Sequence, residues 1–240
     1  MAHFFDTFFY IPLYNGLIGL FDLVPWLDAG LVIILFTILI KLLLFPISKK
    51  SVRTQLLMKD IQADVDEIKK NSKGNKQQET IKIMALYKEK KINPFSGILL
   101  VLIQLPILFA LYYIFFQGGL PKVDTSLLYS FIPTPDSISM KFLGFVDITQ
   151  KNIIIAILAA VSQFFQIRLA LPATPKKTGT ESNFKDELAK SMNTQMKYVM
   201  PVFVLIAAAT LPAVISIYWT TSNLFMIGQE LYIRRIYKKD

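Results

Sequence analysis

The chain contains five apolar segments that approach or reach the length a helix needs to cross a lipid bilayer. The hydrocarbon core of a bilayer is about 30 Å thick, and a helix crosses it with about 20 apolar residues. The mean hydropathy of +0.46 and the 53% of hydrophobic residues also exceed the values typical of a soluble domain. These features predict an all-α, polytopic membrane protein with a five-helix transmembrane core. The predicted spans are residues 31–47, 95–116, 153–171, 198–211 and 213–233.

The fourth segment is the shortest of the five. As a helix it reaches only about 21 Å, which is less than the thickness of the hydrocarbon core. It forms a hairpin with the fifth segment through a turn at Leu211 and Pro212. The sequence therefore predicts a locally thin bilayer or protein neighbours around this hairpin.

Lys and Arg residues alternate from one connecting segment to the next. Twelve lie in residues 49–91 and five in residues 172–197, against two in residues 117–148 and none in residues 1–40. Because cytoplasmic loops carry the excess of Lys and Arg, the N-terminus is predicted outside and the C-terminus inside. The net charge of +9 gives the cytoplasmic face a positive potential, which would attract anionic lipid or ribosomal RNA.

Residues 1–28 are predicted to form an interfacial amphipathic segment ahead of the core, which comprises residues 29–240. Aromatic residues alternate here with acidic and amide residues, and Pro12 and Pro25 interrupt the pattern. The segment has neither the basic start nor the small-residue cleavage site of a secretory signal.

The cytoplasmic segment 48–92 is predicted to form a helical hairpin. Apolar residues recur at helical spacing on both sides of the breaker NSKGNK, at residues 71–76. The proposed apolar positions are Val52, Leu56, Leu57, Ile61, Val65 and Ile68 in the first helix, and Ile81, Met84, Ala85 and Tyr87 in the second. The hairpin is either a docking site for other proteins or a solvated pair without a partner. The first half of the loop 172–197 carries turn residues and lacks periodicity, whereas residues 184–197 are interpreted as an amphipathic lead-in to the fourth span.

Lys41 interrupts the first apolar segment and is the only Lys or Arg before residue 49. An ammonium group in the hydrocarbon layer costs roughly 2.5 to 3.5 kcal/mol on an insertion scale, so water, a partner or a function must compensate it. No Asp or Glu occurs in the five segments before Glu230. Two interpretations follow: a water-filled recess around the ammonium, or snorkelling of the side chain towards the cytoplasmic boundary.

Three further segments carry polar residues at a depth similar to that of Lys41. Side chains three or four residues apart share one face of a helix. Each set alone is typical of hydrogen bonds between membrane helices. Together they predict a polar recess that opens to the cytoplasm and has no polar path to the outer side. Its candidate residues are Thr37, Lys41, Gln104, Gln163, Gln166, Ser216, Thr220 and Asn223.

Covalent catalysis has no candidate residues in this sequence. Cysteine is absent and the single histidine, His3, has no second metal ligand nearby. No nucleophile with its base, metal cluster or phosphate-binding loop is apparent. The chain is therefore predicted not to be an enzyme and to need no metal or other cofactor.

Four stretches carry a family resemblance. They are DAGLVIILFTILIKLLLFPIS (28–48), LYKEKKINPFSGILLVLIQLPILFALYYIFF (86–116), QFFQIRL (163–169), and MPVFV through IYWTTSNLFMIGQ (200–229). The second is the most specific, because it combines the loop end, NP-x-x-G and IQ-x-P at fixed spacing. On these motifs the chain resembles the YidC family of membrane protein insertases, which has relatives in mitochondria and thylakoids. The resemblance covers nearly the whole chain from Tyr10 onward.

The resemblance implies five core helices around a groove open to cytoplasm and lipid, in the plasma (inner) membrane of a bacterium. Lys41 matches the basic residue of the groove, Thr37 and Trp219 match positions that face substrate, and either Gln163 or Gln166 matches a groove glutamine. Two departures are a lysine where the bacterial pattern usually has arginine, and Val214 where glycine is common. The short basic tail after Ile233 argues against strong tethering to the ribosome.

The sequence therefore favours a membrane protein insertase and chaperone, acting alone or with the Sec translocon. Its partners would be nascent membrane proteins, lipids, and the Sec translocon or ribosome, but not DNA. The alternative from another class is a small transporter or pore that uses the same recess. A third interpretation is a scaffold whose hairpin docks partners.

Overall fold

The computed structural model describes residues 2–72, 75–93, 96–116, 120–170 and 184–237. Most of these residues are helical, and the only strands among them are β1 (Lys141–Phe142) and β2 (Val146–Asp147), which pair antiparallel. The prediction of an all-α membrane protein is confirmed. The helices are α1 (Ala2–Phe5), a π-helix (Asp6–Tyr10), α2 (Ile11–Leu23), α3 (Ala29–Leu43), α4 (Phe45–Asp60), α5 (Gln62–Asn71), α6 (Lys76–Glu89), α7 (Ser96–Phe116), a 3-10 helix (Thr125–Leu127), α8 (Ile153–Ala170), α9 (Phe184–Thr210) and α10 (Ala213–Tyr237).

Within the described residues, two helical stretches are long and apolar enough to cross a membrane, His3–Leu23 and Ile153–Ala170. The number rises to 3 when α3 and α4 are counted together as one broken span. Shorter apolar stretches occupy Leu102–Phe115 in α7 and Gln195–Thr210 in α9. The first half of the predicted loop 172–197 lies outside the described residues, and its second half belongs to α9.

The first predicted span, residues 31–47, is divided between two helices. α3 ends at Leu43, and α4 begins at Phe45 with Pro46 in its first turn. Proline lacks an N–H group and fits the first turn of a helix, where that group has no intrahelical partner. Pro46 therefore starts a new helix instead of continuing the first.

The N-terminal helices pack by one face onto the rest of their unit. α2 contacts α3, and its Tyr14 and Asn15 are buried. The Asn15 amide donates to the Leu127 carbonyl, while its oxygen accepts the Tyr129 N–H. The stretch His3–Leu23 is long enough to span a bilayer, so the interfacial location of residues 1–28 stays a prediction.

Contacts divide the chain into two units, of which the first comprises Met1–Leu43 and Gln104–Gly228. In this unit α8 and α9 pack through small side chains, with Ala156 and Ala159 against Val204 and Ala208. Small residues let helix backbones approach closely, as is usual between membrane helices. α9 ends at Thr210 and α10 begins at Ala213, so the turn lies at the predicted residues.

Val214, which stands where glycine is common in the resembled family, has a helical backbone and is fully buried. Its N–H donates to the carbonyl of Ile148 at 3.0 Å. The backbone at this position requires no glycine, because valine adopts ordinary helical angles without strain.

The second unit comprises Leu44–Ile103 and Gln229–Asp240. α5 packs on α6 around Ile61, Val65 and Ile92, with Ile83 and Leu86 at the edge of this core. The C-terminal part of α10 bonds to α4, through Gln229 to Ser48 and through the Tyr237 hydroxyl to Asp60, both at 2.6 Å. The bond to the Asp60 carboxylate raises the pKa of Tyr237.

The predicted apolar face of the second hairpin helix is wrong in part. Ile81, Met84 and Ala85 are exposed in α6. Tyr87 packs against the hairpin core as predicted, but its neighbours there are Ile83 and Leu86. Apolar residues occur on both faces of α6, so helical spacing alone did not identify the face that α5 covers.

Candidate functional site

Lys41 lies at the end of the buried face of α3. That face runs through Ile33 and Thr37 at intervals of four residues, the spacing at which side chains share one side of a helix. Only 8% of Lys41 is exposed, and its Nζ donates to Oε1 of Gln104 in α7 at 2.7 Å. The ammonium is therefore bound to a neighbouring helix. The snorkelling interpretation expected it to extend towards the cytoplasmic boundary.

Gln104 joins Lys41 to a third helix. Its Nε2 donates to the hydroxyl of Tyr218 in α10, and Tyr218 is only 2% exposed. One amide side chain thus accepts from an ammonium and donates to a phenol, which uses both of its polar ends. We call Lys41, Gln104 and Tyr218 the lysine triad.

The lysine triad carries a positive charge that is not neutralised within the described part of the chain. No ion pair found among those residues includes Lys41. An ammonium group has three protons, and the Gln104 oxygen accepts one of them. The arrangement can therefore donate further hydrogen bonds to an anionic group that enters from outside the protein.

Three predicted hydroxyl groups bond to backbone carbonyls. Thr37 donates to Ile33 at 2.7 Å and Thr220 to Ser216 at 2.8 Å, each one turn earlier in its own helix. Ser216 donates to Ala208 at 3.3 Å and so connects α10 to α9. Ser216 and Thr37 are buried, whereas Thr220 is half-buried.

The remaining predicted residues form separate contacts. Asn223 donates to the hydroxyl of Ser162 at 3.0 Å, a buried bond between α10 and α8. Gln163 donates to Gln166 at 3.3 Å along α8, so the choice between these two glutamines stays open. Trp219 packs against the apolar α8–α9 cluster. Among the described residues, the structure joins Lys41 to Gln104 but not to the α8 glutamines.

Two residues of this region, Tyr218 and Ser162, were missed by the sequence reasoning. Tyr218 lies in the fifth apolar segment, where its aromatic ring fits the apolar pattern. A buried tyrosine usually has a partner for its hydroxyl, and that rule was the available signal. Ser162 immediately precedes Gln163 in sequence, but its hydroxyl accepts from Asn223. Its position relative to the other polar residues of α8 did not predict this bond.

The fold and the site together define an all-α membrane protein with a lysine among its apolar helices that forms no ion pair within the described residues. A family model described as "60Kd inner membrane protein" matches residues 20–240. The chain belongs to this family, and its resemblance to the YidC family is confirmed.

Relatives named "Membrane protein insertase YidC" match most of the chain. The relative from Clostridium tetani is 32% identical over 215 residues, which are 90% of this chain and 86% of the relative. The relative from Fusobacterium nucleatum is 32% identical over 208 residues, 87% of both chains. A longer relative from Rickettsia bellii is 29% identical over 88% of this chain and 36% of its own length.

Proposed function

We propose that this chain is a membrane protein insertase in which the lysine triad receives the polar end of a client. The name shared by its relatives supports the insertase function. The observation that carries the role of the triad is the bond from Lys41 to an amide, which leaves its charge uncompensated within the described residues.

The proposed mechanism lowers the cost of bringing a polar group into the bilayer. A carboxylate next to Lys41 gains charge-assisted hydrogen bonds that are stronger than those between neutral groups. Gln104 holds the ammonium in place, so little reorganisation is needed when the client arrives. The polar segment would stay near Lys41 while the apolar segment of the client moves into lipid. No covalent step is part of this mechanism.

We further propose a substrate groove, an orientation of the chain in the membrane and a set of binding partners. Thr37, Trp219, Ser216, Thr220, Asn223 and one of the two α8 glutamines would line a groove open to cytoplasm and lipid. The N-terminus would lie outside the cell and the C-terminus in the cytoplasm, as the Lys and Arg distribution indicates. Nascent membrane proteins would be the clients, with the Sec translocon or ribosome as further partners.

The test is insertion of a client into vesicles that contain only this protein and lipid. One client carries an acidic translocated tail, and a matched client carries Asn and Gln in place of the acids. Lys41→Ala and Lys41→Glu are expected to slow insertion of the acidic client by about tenfold or more, because a charge-assisted hydrogen bond contributes roughly 1.5 to 3 kcal/mol. The neutral client should be much less affected.

Lys41→Arg and Lys122→Ala serve as controls. Arginine keeps the charge, and Lys122 is an exposed lysine outside the site. Thermal unfolding of each variant separates loss of function from loss of folding. If Lys41→Ala and the original chain insert the acidic client at the same rate, the charge of Lys41 has no role in the mechanism. Solute flux through the same vesicles without a client would support the transporter or pore instead.

A further inference from the structure

Residues 139–152, which we call the bracket, bond to the beginning of α3. The Ala29 N–H donates to the Ser139 carbonyl at 2.8 Å. Asp28 accepts the Leu143 N–H through one carboxylate oxygen and the Leu31 N–H through the other, both at 2.9 Å. Asp28 therefore caps α3, as acidic residues commonly do at helix starts, and fixes the bracket to it.

The bracket also bonds to the beginnings of two further helices. The N–H groups of Ala213 and Val214, the first residues of α10, donate to the carbonyls of Gln150 and Ile148 at 2.8 and 3.0 Å. At the end of the bracket, Asn152 caps α8 by accepting the Ile154 and Ile155 N–H groups. α3, α8 and α10 thus begin at one short segment. Among these helices α8, and α3 counted together with α4, are long and apolar enough to cross a bilayer. Since spanning helices begin near the membrane surface, the bracket is expected at that level.

The tip of the bracket exposes two large apolar side chains. β1 and β2 enclose Leu143, Gly144 and Phe145, of which Leu143 is 53% and Phe145 76% exposed. Leu143 has a φ of 51°, a left-handed conformation that is unfavourable for leucine. The turn therefore holds these side chains outward, although neither exposure nor the backbone angle is favourable in water.

Close packing against α3 supports this tip. Phe142, next to the tip, packs against Gly30 of α3 so closely that a Cβ atom at Gly30 would come within 2.8 Å of the Phe142 Cβ. Trp26, two residues before Asp28, is 76% exposed. An exposed tryptophan thus lies close in sequence to the residue that anchors the exposed tip.

We propose that Leu143 and Phe145 insert into the interfacial region of the lipid bilayer, where Trp26 contributes to the same anchor. The position of the bracket at the start of three helices selects lipid as the occupant, because side chains exposed at this level face headgroups and acyl chains. Aromatic side chains are enriched at this depth of the membrane. The proposal concerns attachment to the lipid surface and does not depend on the proposed insertase function.

The absence of cysteine from the 240 residues allows a single fluorescent label to report the environment of the tip. Phe145→Cys and the exposed loop variant Thr134→Cys are labelled with the environment-sensitive dye NBD and reconstituted into phosphatidylcholine and phosphatidylglycerol vesicles. We expect blue-shifted emission at residue 145 and strong quenching by lipids that carry a spin label near the headgroup. The label at residue 134 should be quenched mainly by aqueous iodide.

Equal iodide quenching at both positions, with no quenching by spin-labelled lipid at residue 145, would overturn the proposal. A blue shift at residue 145 that appears only after another membrane protein is added would also overturn it, and would indicate a protein partner. Leu143→Cys provides a second measurement from the other side chain of the tip and should behave like Phe145→Cys.

Discussion

The ammonium group of Lys41 lies among the apolar side chains of α3 and is stabilised there by a hydrogen bond to the Gln104 oxygen. Tyr218 in turn accepts a hydrogen bond from the amide nitrogen of Gln104. The ammonium has only N–H donors, so it favours the amide orientation in which the Gln104 oxygen faces it. The amide NH₂ group then points to Tyr218, whose hydroxyl accepts from Nε2 and holds that orientation. The phenol thus acts on Lys41 through its neighbour.

Tyr218→Phe is expected to lower the free energy of unfolding by about 1 to 3 kcal/mol, because it leaves an N–H of the half-buried Gln104 amide without its acceptor. Denaturant titration in detergent measures this change. Tyr113→Phe is the matched control, since Tyr113 lies on the same helix as Gln104 and is exposed. The same loss in both variants would mean that the bond to Gln104 contributes no specific stability.

Helical spacing and depth were sufficient to select Lys41 and Gln104 from the sequence, because they interrupt long apolar runs. Their mutual bond was not predictable, since depth does not give the rotation of one helix about another. Tyr218 was missed for a different physical reason. Its ring satisfies the apolar pattern of α10, and only its hydroxyl reveals a polar role.

Helix α8 is held by two different kinds of contact on its two partners. Small apolar residues pack it against α9, while Ser162 and Asn223 bond it to α10. A double-mutant cycle of Ser162→Ala and Asn223→Ala should give a coupling energy of about 0.6 kcal/mol, the average for hydrogen bonds between membrane helices. Unfolding free energies of the two single variants and the double variant measure it, and additive losses would exclude a direct contribution.

The contact between α3 and β1 gives a second prediction at the level of elements. Gly30→Ala is expected to destabilise the protein by about 1 to 3 kcal/mol, because its methyl group would overlap the Phe142 side chain. Gly228→Ala is the control: no atom lies within 4 Å of the added methyl group, and alanine favours a helix more than glycine does. The midpoint temperature of thermal unfolding should therefore fall for Gly30→Ala and rise for Gly228→Ala.

The boundaries of helices were predictable where proline or a turn separates apolar runs, as at Leu211 and Pro212. The break within residues 31–47 was not predicted, because the residues after Leu43 remain apolar, although Pro46 favours a helix start. In α6 the error had another cause. Both faces carry apolar residues, and only the packing of α5 decides which face is buried.

For the molecule as a whole, hydropathy was enough to predict an all-α membrane protein, because the backbone in a bilayer must satisfy its hydrogen bonds internally.

The proposed orientation in the membrane rests on the counts of Lys and Arg and can be measured directly. Ser126→Cys is expected to react with a membrane-impermeant maleimide in intact cells, whereas Lys88→Cys should react only after the membrane is opened. Both side chains are exposed in the structure. The reverse pattern would invert the proposed topology.

The threonine hydroxyls of α3 and α10 affect which polar groups of a client the site would bind. Thr37, Thr220 and Thr221 each donate their proton to a carbonyl one turn earlier, at 2.7 to 2.8 Å. A hydroxyl that already donates to a carbonyl cannot donate a hydrogen bond to a visiting group. Its oxygen can still accept a hydrogen bond from one. In the proposed insertase the half-buried Thr220 and Thr221 would therefore accept hydrogen bonds from the peptide N–H groups of a client and donate none to its carboxylates. Donors and acceptors would be divided between residues, with acidic groups directed to Lys41 and the backbone to the threonines.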